Sequence, residues 1–197
     1  MKNSIRSSGS LPLAAMAIAL ASLTFAGCTT TGPNSQQTAS QQRGNIDQSA
    51  NETLNRLYKA SPDSRALVQR AKGVLIFPSV ARAGFILGFE HGDGVLRVNG
   101  HDEGYYTTTG GSIGWQLGIQ SRAMVLLFMT DEALNKFRQS NGWTAGADAT
   151  VALAKVGANG TIDTNTAQQG VVGFVLTNAG LMAGVSLDGT KIQKKNL

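Results

Sequence analysis

Cysteine is all but missing from this chain: Cys28 is the single thiol in 197 residues. No disulfide can therefore form within it, and any fold must rest on burial and hydrogen bonding. Charge is also sparse, at 15% of residues against 42% hydrophobic, which excludes a globally disordered chain. Prolines number only 4 beside 24 scattered glycines with no collagen-like period, the balance of a β-rich domain with tight turns and kinked strands. The formal net charge is +5, and no dense basic patch accompanies it, so a nucleic-acid binder is not indicated. Catalytic punctuation is missing too. No GxxxxGK[ST] occurs, no serine sits in GxSxG, and the glycines at Gly110, Gly111 and Gly114 lead into a strand-like pattern rather than a helix. No enzyme is expected, and no cofactor.

The longest uncharged run, Leu11 to Gly27, is 17 residues and alanine-rich, short of the roughly 20 apolar residues of a membrane span. It follows a segment whose only charges are Lys2 and Arg6 and gives way at once to polar TTTGPNSQQ. That order is a cleavable secretion signal over residues 1–27. Phe25-Ala26-Gly27-Cys28 resembles the bacterial lipobox, with Phe25 where that pattern prefers Leu. Its resemblance implies that the Cys28 thiol takes a diacylglyceryl group and its amine an N-acyl chain, palmitate being the usual fatty acid. Thr29 follows, and the lack of Asp there favours the outer membrane, with the domain facing the periplasm. Once Lys2 and Arg6 leave with the signal, 15 basic and 12 acidic residues remain, a net of +3.

Residues 28–45 are polar and of low complexity, and read as a flexible tether. A folded domain is expected over 46–197. Ile46, Ala50, Leu54, Leu57 and Tyr58 recur at helical steps, and Ser61-Pro62 should cap and start a second helix that ends at Gly73. Beyond Gly73 the period becomes strand-like. Val74–Phe77, Gly84–Phe89 and Val95–Val98 are apolar runs, with a turn expected at His91–Gly94, another at Gly110-Gly111 and a hairpin at Asn99-Gly100. Alternation through Ile113, Trp115, Leu117 and Ile119 and the run Ala123–Met129 add two strands. Thr130 should cap one inserted helix, with Asp131 and Glu132 in its first turn and Lys136 and Arg138 in its last. Strand regions follow near Ala149–Val156, Gly170–Thr177 and Leu181–Leu187, before a tail KIQKK. The fold class is α+β: N-terminal helices, then a curled or closed, mostly antiparallel sheet of about eight strands with one inserted helix.

Three segments carry a family likeness: AKGVLIFPSVARAGFILGFEHGDGVL, GYYTTTGGSIGWQLGIQSRAMVLLFMTDEALNKF and GFVLTNAGLMAGVSLDGTKI. Together they resemble the SYLF domain from about Ser49 to Ile192, most specifically in Gly73 with Phe77-Pro78, the glycines 110, 111, 114 and 118, and the run ending at Asp131. The resemblance implies a lipid-binding module. Eukaryotic members bind phosphoinositide membranes through a basic N-terminal helix and some bind actin; for an envelope protein only the binding of anionic phospholipid carries over.

Arg56, Lys59, Arg65, Arg70 and Lys72 on the two helices are the candidate lipid-contacting residues, since each basic residue near an anionic surface contributes about 1 kcal/mol. They serve equally well as solvated helix faces. Glu90, His91, Asp93, His101, Asp102 and Glu103 have metal-ligand chemistry, yet turns collect the same residue types for conformational reasons, and no metal is assigned. Trp115, Trp143, Phe77, Phe85 and Phe89 either line an acyl-chain cavity or fill a dry core, the commoner outcome in a small barrel. Two readings follow: a lipid-anchored module binding anionic phospholipid, or a lipoprotein engaging another envelope protein through a sheet edge or apolar patch.

Overall fold

The computed structural model describes residues 38–84, 87–113, 120–154, 161–182 and 185–197. Signal segment and Cys28 lie outside them, as do residues 28–37 of the expected tether, Phe85, Trp115 and most of the Ile113–Ile119 alternation.

Helix α1 spans Ala39–Ala60 and α2 Ser64–Arg70. Residues 39–45, expected as tether, are instead the first turns of α1. Thr38 and Gln41 form a capping box, each side chain taking the other's backbone N–H, and this starts the helix before its apolar face begins. The second helix also starts later than expected: Ser61 closes α1 and Asp63 precedes α2, so Pro62 sits in the turn between them. Ile46, Ala50, Thr53 and Leu57 form the buried face of α1.

The sheet has nine strands: β1 (Gly73–Gly84), β2 (Leu87–Val98), β3 (His101–Ile113), β4 (Gln120–Phe128), β5 (Trp143–Thr144), β6 (Ala152–Leu153), β7 (Val171–Thr177), β8 (Gly180–Leu181) and β9 (Lys191–Lys195). Their order is β5-β9-β3-β2-β1-β4-β7-β6, with β8 beside β7. All pairings are antiparallel except β6 with β7, and the whole is a curled half-barrel. Helix α3 (Asp131–Gln139) follows β4, and a single turn, α4, covers Thr164–Ala167. The α+β expectation holds.

Two expected turns are strand. β2 runs straight through His91–Gly94, and β3 through Gly110-Gly111. The glycines of β2 serve close packing. A Cβ on Gly92 would lie 2.5 Å from the Ser79 carbonyl oxygen, and one on Gly94 would overlap the Ile76 carbonyl and the Phe77 ring. Both lie where β1 bulges, its register shifting between Ile76 and Val80. The tail KIQKK is also ordered as β9, between β3 and β5. Of the Leu181–Leu187 region, only Gly180–Leu181 is strand among the described residues.

Period-2 alternation sorts the sheet into two faces. Val74, Ile76, Val95, Val125, Leu127, Val172 and Phe174 pack under α1 and α2. Leu75, Phe77, Leu96, Met124, Leu126, Phe128 and Val175 pack on the other side, with Leu134 and Phe137 of α3 and Trp143. Phe137 is the hub there, its ring 4.7 Å from Phe128, 5.0 Å from Tyr106 and 5.8 Å from Trp143. Phe77 and Trp143 thus fill core, whereas Phe89 is 61% exposed. Residues 37–197 form one compact unit containing both cores.

Candidate functional site

The corner between α1 and α2 is built on a short backbone relay. The Ser61 N–H donates to the Leu57 carbonyl, and the Ser64 hydroxyl donates to the Ser61 carbonyl at 2.5 Å. Leu57 and Leu67 are buried beneath it. Beside the corner opens a cleft of about 350 Å³ lined by Leu54, Tyr58, Val68, Ala71 and Val74, with Arg97 and the Asn99-Gly100 turn at its edge. This is an apolar floor with polar margins, the usual composition of a binding cleft.

The five candidate cations divide. The Arg65 guanidinium sits 4.3 Å from the centroid of the Tyr58 ring, a cation–π contact. Burial pushes the Tyr58 phenol above its ordinary value of 10.0, with Arg65 opposing. Arg56 donates to the Thr177 carbonyl at 2.9 Å, tying α1 to the end of β7. Lys72 pairs with Asp131 at 3.2 Å, linking the start of β1 to α3. Lys59 and Arg70 are exposed and have no hydrogen bond or ion pair among the described residues. Lys59 follows Tyr58, and Arg70 stands between Gln69 and Ala71, so both flank residues that line the cleft.

Two polar clusters escape a reading of the sequence. On one, Arg97 of β2 donates to Asp102 at 2.6 Å, to Asn51 at 2.7 Å and to the Asp47 carbonyl at 3.3 Å, while the Tyr105 hydroxyl donates to both Asp47 oxygens. These contacts fasten α1 to the sheet. The other is buried on the opposite face: Glu90, 5% exposed, pairs with Arg122 at 2.5 Å and Arg82 at 3.8 Å, one cation from each of two strands. No local pattern announces either cluster, since their members lie up to 58 residues apart.

The six residues with metal-ligand chemistry do not converge. Glu90 points to the α3 side of the sheet, His91 and Asp93 to the α1 side, and His101–Glu103 lie at the far end of the β2–β3 hairpin. Among the described residues no group of three such side chains is placed to hold a metal ion. A second cleft, also about 350 Å³, lies at the start of α1, between Gln42, Asn45 and Ser49 and the strand residues Ser79, His91 and Asp93. Among the described residues no helix is long and apolar enough to cross a membrane.

Residues 109–196, from the end of β3 through β9, match the family model described as Ysc84, Las17-binding protein actin regulator. Similar curated proteins are the SH3 domain-containing YSC84-like protein 1 of Bos taurus, 28% identical over 129 residues, and that of Homo sapiens, 29% identical over 131. Each alignment covers 63% of this chain but only 38% and 37% of the relative, so the chain matches well under half the length of these proteins. Over residues 109–196 the chain is thus similar to the Ysc84 family model, and over 63% of its length it is similar, at under 30% identity, to the YSC84-like proteins.

Proposed function

We propose that this protein is a lipid-anchored binding module of a bacterial envelope, held at the outer membrane through acylated Cys28, whose domain contacts anionic phospholipid with its α1–α2 corner. The observation that carries this reading is the pair of exposed cations Lys59 and Arg70, without a hydrogen bond or ion pair among the described residues and each next in sequence to a residue that lines the cleft. Each adds about 1 kcal/mol of attraction to an anionic surface. Arg65, fixed over Tyr58, presents a third. Arg56 and Lys72 are engaged within the fold and contribute less. An anchor at Cys28 would keep the domain at high effective concentration beside the bilayer, so that weak headgroup contacts are occupied.

Flotation of a form beginning at Thr29, which keeps the whole compact unit and lacks the only cysteine, tests the headgroup contact. Vesicles containing phosphatidylglycerol should carry it upward at low salt, high salt should release it, and phosphatidylcholine alone should not bind. Reversing both charges, Lys59→Glu with Arg70→Glu, should weaken binding at least about tenfold. Absence of flotation at low salt would overturn the reading. Mass spectrometry of the protein from its host tests the anchor: an unmodified Cys28 or a retained leader would remove it.

A second reading, a protein partner seated in the α1–α2 cleft, is favoured by the cleft's apolar floor and by the interaction role in the family model's name. Failed flotation, with capture of an envelope protein abolished by Tyr58→Ala, would select it.

A further inference from the structure

Helix α1 covers only part of its face of the sheet. Its start borders Pro78, Ser79, His91 and Gly92, and beyond that line the face continues, with no helix over it among the described residues, as Ala81 on β1, Phe89 and His91 on β2, Thr109 and Gly111 on β3, and Ser121 on β4. Most of these side chains are small. Phe89 is not, and its partner on β3 is Gly111, which has no side chain to cover it. The ring is 61% exposed, more than Met182 at 40%, the other large hydrophobic residue exposed among the described residues. A lone exposed surface phenylalanine needs no explanation by itself. Here two further observations bear on it.

Charge is the first of these. Among the described residues, the strands β1, β2, β3, β4 and β9 carry one carboxylate on this stretch of the face, Asp93, and Lys195 matches it at 2.6 Å. Lys191, cross-strand from Thr109, is exposed and has no ion pair among the described residues, and Arg43 is exposed in the first turns of α1. Asp47, one turn beyond Arg43 on α1, offsets Arg43 in part, so the surplus is positive chiefly through Lys191. The second is where the chain leaves: α1 begins at Ala39 beside this corner, so the 37 residues that precede Thr38, Cys28 among them, are joined to the domain here rather than at the α1–α2 corner.

From these we infer that the sheet corner around Phe89 is a membrane-insertion point, with the Phe89 ring entering the headgroup–acyl boundary of an anionic bilayer and Lys191 and Arg43 meeting phosphates at its rim. An aromatic ring flanked by cations is the composition that partitions into that boundary. The inference rests on the proposed bilayer function but names a different contact, at the opposite end of α1 from Lys59 and Arg70. A helix of 22 residues is about 33 Å long, so probes at the two ends report separately.

The form beginning at Thr29 has no cysteine, so single thiols can be placed at will. Phe89→Cys, Lys59→Cys and Asn135→Cys, the last exposed on α3, are each labelled with an environment-sensitive fluorophore and mixed with phosphatidylglycerol vesicles. A blue-shifted, several-fold brighter emission at position 89, quenched by nitroxide-bearing lipid and not seen at 135, is the expected result. Phe89→Ala with unmodified neighbours should lower the floated fraction several-fold without changing the melting temperature. If the probe at 59 responds and that at 89 does not, the insertion point is overturned while the phospholipid reading stands. If flotation itself fails, the phospholipid reading falls and takes the insertion point with it.

Discussion

The Tyr105 hydroxyl on β3 donates to both carboxylate oxygens of Asp47 on α1, at 3.1 and 3.0 Å. This one phenol, with Arg97 beside it, joins the helical layer to the third strand through polar contacts that a purely apolar interface would lack. Hydrogen bonds to a charged group are stronger than neutral ones, but this one is partly hydrated. Tyr105→Phe should cost about 1 kcal/mol, read from urea unfolding, with the sheet core unchanged.

The same contact sets an alkaline limit. Burial first, then Asp47, raise the Tyr105 phenol from 10.0 to about 12. A group harder to deprotonate in the folded chain than in the unfolded one adds stability that is complete below pH 10 and is lost as pH climbs toward 12. Stability should therefore fall across that window, and Tyr105→Phe should flatten the fall. Burial also raises the Asp47 carboxyl above 3.8, so its contribution is present in acid and is lost as pH rises through its folded value. Absorbance titration of the phenols and unfolding midpoints against pH check both limbs.

Glu90 lies between Arg122 and Arg82 in the interior. Glu90→Gln removes the counter-charge that Arg122 meets at 2.5 Å, and should destabilise the domain by about 3 kcal/mol. Replacing Glu90 and Arg122 together with Leu and Met should cost clearly less than Glu90→Gln alone. Calorimetric melting of the three forms gives the comparison; equal losses would mean that the ion pair is not the source.

Gly94 is a place where one methyl group is intolerable. The obstacles are the Ile76 carbonyl, which is backbone, and the enclosed Phe77 ring, so neither can move aside cheaply. Gly94→Ala should cost 3 kcal/mol or more on the order-of-magnitude scale of overpacked cores and should shift the β1 bulge. Gly111→Ala, with open space around the added atom, should change stability little. Thermal unfolding of the pair separates steric from conformational causes.

At the entry of α3, the Thr130 side chain accepts the Ala133 N–H at 3.1 Å. Thr130→Ala should cost about 1 kcal/mol, and Thr130→Asp should restore most of it, by equilibrium unfolding.

What could be read from the sequence was whatever is decided within a few residues. Helix α3 is the clearest case: its cap, its acidic first turn and its basic last turn are all local, and all stand as expected. The Asn99-Gly100 hairpin is another, with φ of 51° and 80° at its two residues. The glycines of β2 misled because their task is set by β1, twelve or more residues away, and a glycine needed for close approach looks like a glycine needed for a turn. KIQKK offers only one apolar residue, Ile192, and becomes a strand because β3 and β5 flank it. At the candidate site, the basic character of the two helices was legible. That Arg56 is tied to Thr177 and Lys72 to Asp131 was not, because both partners are remote in the chain.

Alternate residues of one strand belong to different cores. Val74 and Ile76 face α1, whereas Leu75 and Phe77 face α3, and β4 repeats the pattern with Val125 and Leu127 against Met124 and Leu126. Neither helical layer can be lost while the sheet keeps its own order, because each strand would be left with one side bare. The domain should melt as a single event, with calorimetric and van't Hoff enthalpies in agreement. A lesion beneath α1 should then loosen Trp143, on the far side, as much as the residues it touches.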